Sequence, residues 1–301
     1  MPQVSDLRGI SSSALSIRPN AIFAYYDAIT VWLKYPLSRA EIEQLKDQCG
    51  FGNERGFVHD CYLRPKFNLS LRQRLQLKQP RADALRSLSA RSDAYLNYAE
   101  AALDWVFEGD NEREEAYRLL DRYHLKNHHR DQGVRYERRD HQLTPLTRYT
   151  GPRMAPNNFG LYVDKPCRVT GEIYCAHLEW RMRRPRNLRS TGLTGVGKLL
   201  ELDLHGFWQE RLLLRGLDLR KLGRMHLNSC RRLRRRSWVT VSRTGFRYDY
   251  DLATGALLAN VFESTQKVAD HFGRKFRVRE CFVPIDVQHL LPPPGAKGLY
   301  L

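Results

Sequence analysis

The chain has 301 residues, 42% of them hydrophobic and 11% aromatic, enough to bury the core of one large domain or two modest ones. Fifty Lys and Arg against 33 Asp and Glu leave a formal charge of +17, a field that attracts polyanions and makes nucleic acid the leading expected partner, with a solvated basic surface as the plain alternative. No apolar run approaches the roughly 18 residues of a membrane span, and "MPQVSDLRGISSSALSIRPN" lacks the apolar stretch of a secretion signal, so a cytoplasmic protein without membrane contact is expected.

Residues 1–20 read as a flexible N-terminus, rich in Ser and without periodicity. "AIFAYYDAITVWLKYPL" reads as a strand ending near Pro36, and "SRAEIEQLKDQCG" as a helix capped by Ser38 and closed by Gly50. "GFVHDCYL" and "FNLSLRQRLQLKQP" follow as strands, and "RADALRSLSARSD" as a short amphipathic helix. "AYLNYAEAALDWVFEG" has an Ala-rich middle but aromatic ends, and is read as a strand; "DNEREEAYRLLDRYHLKNHH" is a charged helix whose His124, His128 and His129 belong to a solvated end. "QLTPLTRYTGP", "NNFGLYVDK" and "EIYCAHLEWRMR" complete the β segments. The order predicts an α+β fold, an antiparallel or mixed sheet with helices packed on one face, over residues 21–190.

Residues 191–301 read as a basic C-terminal region, mainly helical, with a hairpin at "WVTVSRTGFRYDYDLATGALL" and a late helix at "STQKVADHFGRKF". Charge is concentrated around its start: residues 181–236 hold sixteen Lys and Arg against four Asp and Glu. Within that stretch "GLTGVGKL" comes close to a phosphate-binding loop, but Leu199 stands where a magnesium-holding hydroxyl is needed, and the charged run before it does not suit a buried strand. An ATPase is therefore not expected, and Arg181, Arg183, Arg184, Arg186, Arg231, Arg232, Arg234, Arg235 and Arg236 are read as DNA-phosphate contacts. The six cysteines form no C-x-x-C pair, and read as buried free thiols rather than a zinc ribbon.

Alternation assigns faces to three strands. Tyr174, Ala176, Leu178, Trp180 and Met182 share an apolar face, leaving Cys175, His177, Glu179, Arg181 and Arg183 on the other. Phe159, Leu161 and Val163 point inward, leaving Gly160, Tyr162 and Asp164 outward, with the Tyr162 phenol accessible beside a glycine. Glu100 and Asp104 project opposite Ala99, Ala101, Leu103, Trp105 and Phe107. Oxygen ligands of this kind suit Mg²⁺ or Mn²⁺, and a phenol beside them suits nucleophilic attack on a phosphodiester. The bland reading of the same pattern is the polar outer face of an ordinary antiparallel sheet.

The combination resembles rolling-circle replication initiators of the Rep-trans type. "YAEAALDW" is similar to that family's "R-I-D-x-A-L-D" strand, with Glu100 and Asp104 at the acidic positions. "YTGPRMAPNNFGLYVDK" is similar to "Y-x-G-x-R-x-S…R-x-Y-x-K" through Tyr149, Gly151, Arg153, Tyr162 and Lys165, and "HLEWRMR" to "R-x-E-x-x-x-K" through Glu179. The likeness covers roughly residues 20–190; Met154 and Ala155 stand where the family has a serine, Gly160 where it has an arginine, and His177 where an arginine precedes the Glu.

The resemblance implies an initiator that nicks one strand of single-stranded or extruded origin DNA. Tyr162 would become linked to the 5′ end and free a 3′-OH, with Glu100, Asp104 and Glu179 holding the divalent ion and Arg153 and Lys165 steadying phosphate or phenolate. It also implies a homodimer that recruits a host helicase. Tyr149 stays open as the alternative nucleophile, and a non-catalytic sequence-specific DNA-binding protein on the same fold as the alternative function; an RNA-binding protein is favoured by charge alone.

Overall fold

The computed structural model describes residues 17–51, 57–62, 70–125, 134–137, 147–150, 157–233, 250–272 and 278–296. They fall in two compact units, one drawn from residues 18–117, 132–210 and 288–301, the other from residue 17, residues 118–131 and residues 211–287.

The first unit is built on an eight-stranded sheet. Its strands are β1 (Ala21–Leu33), β2 (Val58–Tyr62), β3 (Gln73–Lys78), β4 (Ala94–Val106), β5 (Val134–Glu137), β6 (Thr147–Thr150), β7 (Asn157–Tyr162) and β8 (Cys175–Arg183). Their spatial order is β2-β3-β1-β4-β8-β7-β6-β5, and every pairing is antiparallel. The expected α+β architecture is thus observed. The strand β5 was not anticipated from the sequence, and β8, late in the chain, sits between β4 and β7 at the centre.

The alternation that names the faces is real, with two register shifts between β1 and β4, one at Tyr26/Ala28 and one at Thr30/Val31. β1 pairs with β4 from Ala21↔Val106 to Tyr26↔Ala101, then resumes at Ala28↔Glu100, so Asp27 is an extra residue bulged out of the ladder. The bulge shifts the apolar period of β1 from Ile22, Ala24 and Tyr26 to Ile29, Val31 and Leu33. These positions share a face with Ala99, Ala101, Leu103 and Trp105 of β4 and with Ala176, Leu178, Trp180 and Met182 of β8. Side chains of that face are almost all buried, which at about 25 cal/mol per Å² of apolar area is the main stabilising contribution of the layer.

Helices cover the apolar face: α4 (Pro185–Ser190), α5 (Gly197–Glu201) and α6 (Leu204–Gln209). The Tyr26 hydroxyl donates to the Leu199 carbonyl at 3.0 Å, the Trp105 indole N–H to the Leu290 carbonyl at 2.7 Å, and the Trp180 and Phe207 rings meet edge to face at 6.5 Å. The glycine-rich "GLTGVGKL" is the lead into α5, and its Lys198 pairs with Glu201. Elsewhere in the unit, α1 (Arg39–Asp47) starts with the expected Ser38 cap, completed reciprocally by Glu41, and α2 (Ala82–Ser89) follows β3. Helix α3 (Asp110–Tyr123) is followed by His124, which belongs with Arg211 to the second unit, is buried and faces the Arg211 carbonyl at 3.1 Å, not a solvated helix end; His128 and His129 lie outside the described residues.

In the second unit β9 (Arg215–Leu217) pairs with β10 (Phe282–Pro284), beside α7 (Leu219–Leu233), α8 (Tyr250–Phe262) and α9 (Thr265–Phe272). The segment expected to be a hairpin is helix from Tyr250 onward, because "DLATGALLANVF" is rich in Ala and Leu and its alternation is too short to hold a strand; residues 238–249 lie outside the described residues. Helices α7 and α8 approach at two glycines: a Cβ on Gly223 would fall 1.7 Å from the Asp251 carbonyl oxygen, and one on Gly255 1.7 Å from that of Leu219.

Candidate active site

The other face of the sheet carries the polar residues. Register sets Glu100 opposite Arg181, Ala102 opposite Glu179 and Asp104 opposite His177 across β4 and β8; across β8 and β7 it sets Glu179 opposite Gly160 and His177 opposite Tyr162. Directly opposed residues share a face, so carboxylates from two strands and the phenol from a third converge. This face is buried, not solvated: Glu100, Asp104, His177 and Glu179 are all inaccessible.

Glu100 and Glu179 come together with a residue that sequence reading missed. The bulged Asp27 places a carboxylate oxygen within 4.8 Å of oxygens from both. One signal for it was present, a lone acid inside the thirteen-residue apolar run of β1. Asp27 is met by Lys78 Nζ at 3.3 Å and by Gln79 Nε2 at 3.0 Å. Arg181 spans the other two, with Nε 2.6 Å from Glu100 Oε1 and Nη2 2.5 Å from Glu179 Oε2. The Tyr98 hydroxyl donates to Glu100 at 2.7 Å.

Crowding of like charges separates the two glutamates. Burial, then the Glu100 carboxylate beside it, pushes the Glu179 carboxyl well above the usual range. Burial acts to raise Glu100 too, but its hydrogen bond with Glu179 and the Arg181 and Lys78 cations bring it down to about 2. Lys78 is held above its ordinary value, burial being outweighed by Asp27 and Glu100. The donors of this trio are all carboxylate oxygens, so the set fits a hard divalent cation.

Tyr162 meets this cluster directly, its hydroxyl donating to Glu179 Oε1. The expected accessibility of the phenol is not observed: the residue is 3% exposed. Its ring stacks on His177 with centroids 4.7 Å apart, and the Lys165 ammonium lies 4.7 Å from the ring centroid. Burial, then the Glu179 carboxylate, raise the phenol well above its ordinary value of 10.0.

Asp104 lies apart from the trio. Its Oδ1 is 2.8 Å from His177 Nδ1, and its Oδ2 accepts from the Tyr25 hydroxyl at 3.0 Å and the Arg168 N–H at 3.3 Å. His177 Nε2 is 2.8 Å from the Lys165 carbonyl. The ring thus faces two acceptors; burial lowers its proton affinity, but Asp104 and that carbonyl outweigh it and hold the imidazole above its ordinary range.

Of the other residues expected to act, Arg181 is 15% exposed in its side chain and committed to the glutamates. The Arg183 guanidinium lies 4.9 Å from the Tyr98 ring centroid, while Arg184 and Arg186 are exposed. Arg231 and Arg232 belong to the end of α7. Tyr149 in β6 is in register with Gly160. Arg153, Arg234, Arg235 and Arg236 lie outside the described residues.

No protein-family model matches the chain, and no curated protein matches it in sequence. Among solved structures it is similar to the rolling circle replication initiator protein from Geobacillus stearothermophilus, with a TM-score of 0.40 and 8% sequence identity, over 79% of this chain and 97% of that one.

Proposed function

We propose that this chain is a replication initiator that nicks one DNA strand at an origin through Tyr162. The observation that carries the reading is the Tyr162 hydroxyl seated on Glu179, within a cluster of three carboxylates. The sequence resemblance, which rests on the same tyrosine and two of the same acids, points the same way.

In this reading Tyr162 Oη attacks the scissile phosphorus while its proton passes to Glu179. A basic partner is required because a phenol is a weak nucleophile, and Glu179 is the carboxylate that accepts the phenol's hydrogen bond. The bond from tyrosine oxygen to phosphorus forms as the bond from phosphorus to the 3′ oxygen breaks, and that oxygen leaves with a proton from solvent. The products are a 5′-phosphotyrosine link and a free 3′-OH. Lys165, over the ring, steadies the phenolate. Asp27, Glu100 and Glu179 would hold Mg²⁺ or Mn²⁺, which supplies charge neutralisation at the phosphodiester. Asp104 acts as a positioning residue, holding His177 against the Tyr162 ring. The basic C-terminal region of residues 191–301, with Arg183, Arg184 and Arg186, serves to position the DNA, and a homodimer, a host helicase and a cytoplasmic location follow from the resemblance.

The burial of Tyr162 favours a second reading, a non-catalytic DNA-binding protein that keeps the ionic cluster as internal structure. Incubation with single-stranded origin-type oligonucleotides and Mn²⁺ separates them. The initiator gives a covalent adduct that Tyr162→Phe abolishes and Tyr149→Phe retains; tight DNA binding with no adduct in the wild-type chain selects the second reading.

A further inference from the structure

Beside the carboxylate trio, Asp104, Cys167 and Cys175 bring one oxygen and two sulfurs within 4.8 Å of one another, all three residues buried. They come from three places: β4, the connection between β7 and β8, and the first residue of β8. The connection is held by its own backbone. Cys167 N–H donates to the Glu172 carbonyl at 2.8 Å and Gly171 N–H to the Cys167 carbonyl at 2.9 Å, with Gly171 at a φ of 78°.

The carboxylate is equally well oriented. His177, Tyr25 and the Arg168 N–H fix Asp104 from three sides. Because both nitrogens of His177 face acceptors, the ring holds Asp104 in place and does not compete as a ligand. Two thiolates and a carboxylate bring three negative charges, most of which a divalent ion offsets.

We propose that Asp104, Cys167 and Cys175 form a zinc site, with the remaining tetrahedral position left to a water or another exogenous donor. Sulfur ligands select zinc over the hard cations suited to the neighbouring oxygen cluster. Binding releases the two thiol protons to solvent as the two zinc–sulfur bonds form. The ion pins the connection carrying Lys165 to β4 and β8, and so fixes the ammonium over the Tyr162 ring. The site stands on its own residues and does not depend on strand nicking.

The full-length protein, fully reduced and then loaded with zinc, is expected to retain about one ion per chain after dialysis. Cobalt in its place gives a thiolate charge-transfer band and the strong visible bands of a tetrahedral ion. Cys167→Ser and Cys175→Ser each lose these bands, while Glu179→Gln keeps them. In the unmutated chain, zinc also shields Cys167 and Cys175 from alkylation, read peptide by peptide, which keeps the test valid should a variant fail to fold. Absence of cobalt–thiolate bands in the reduced protein overturns the proposal, as do bands that persist in both serine variants. Recovery of a Cys167–Cys175 disulfide with no metal binding before oxidation overturns it equally.

Discussion

Replacing Arg181 by Met tests whether the polar face is a matched ionic cluster. The guanidinium makes its closest bonds to Glu100 at 2.6 Å and Glu179 at 2.5 Å, and both acids are buried. Removing one partner of a buried pair costs about 3–5 kcal/mol, since a charge is left in low dielectric without compensation. Two features place Arg181→Met at the lower end. The Tyr98 and Tyr162 hydroxyls still donate to the two glutamates, and Glu179, whose carboxyl already sits high, can neutralise itself with a proton. A loss of about 3 kcal/mol is expected, measured as urea unfolding followed by tryptophan fluorescence at neutral pH. Arg181→Lys keeps a charge but not the fork, and should lose about half as much. Mn²⁺ at about a hundred times its dissociation constant should then return about 2.7 kcal/mol to the Met variant, because the ion takes over the missing positive charge. A loss below about 1 kcal/mol would refute the picture of a matched cluster, placing Arg181 among ordinary surface pairs. A full loss that Mn²⁺ does not relieve would refute the oxygen cluster as a cation site.

Gly255→Ala in α8 should cost on the order of 1–3 kcal/mol, because its Cβ would meet the backbone of Leu219, which has no flexible end to move; faster amide exchange confined to α7 and α8 is the readout. Asp93 accepts from the Tyr35 N–H at 2.8 Å and from Arg91 at 3.0 Å; burial opposes its ionisation, but these bonds win and hold the carboxyl below 3.8. Its contribution is therefore present above the unfolded value and lost as pH falls through the lower folded value, so Asp93→Asn should flatten the acid limb of a stability–pH curve, which an unchanged limb would contradict. Neutralising Arg231, Arg232, Arg234, Arg235 and Arg236 together should weaken binding to all DNA sequences alike and reduce the slope of log affinity against log salt; an unchanged slope would mark the run as a solvated face.

The alternation of β4, β7 and β8 was enough to put Glu100, Glu179 and Tyr162 on one face, since antiparallel pairing converts period-two spacing directly into proximity. It gave no account of burial, because a polar face reads the same whether it meets water or matched charges; only the pairing of Arg181 with two acids separates the cases. Asp27 stayed hidden for another reason. Its side of the sheet depends on a bulge, and a bulge is a property of two strands at once. Asp104 shares the face yet turns toward His177, a choice between neighbours 2.8 Å away that spacing cannot rank. Cys167 and Cys175, seven residues of chain between them, carry no metal-binding spacing in the sequence, because one sits in a connection and the other on a strand.

The position of β8 has a consequence for biosynthesis. Until residue 183 has been made, β4 has no neighbour on its far side, and a nascent chain exposes the unpaired edge of a thirteen-residue strand. Because β8 must pair with a strand that ends almost seventy residues earlier, assembly waits on a long-range closure and is slow relative to local helices. Fragments truncated before β8 should therefore aggregate, whatever their solubility on paper, and useful dissection of the protein begins only beyond Arg183.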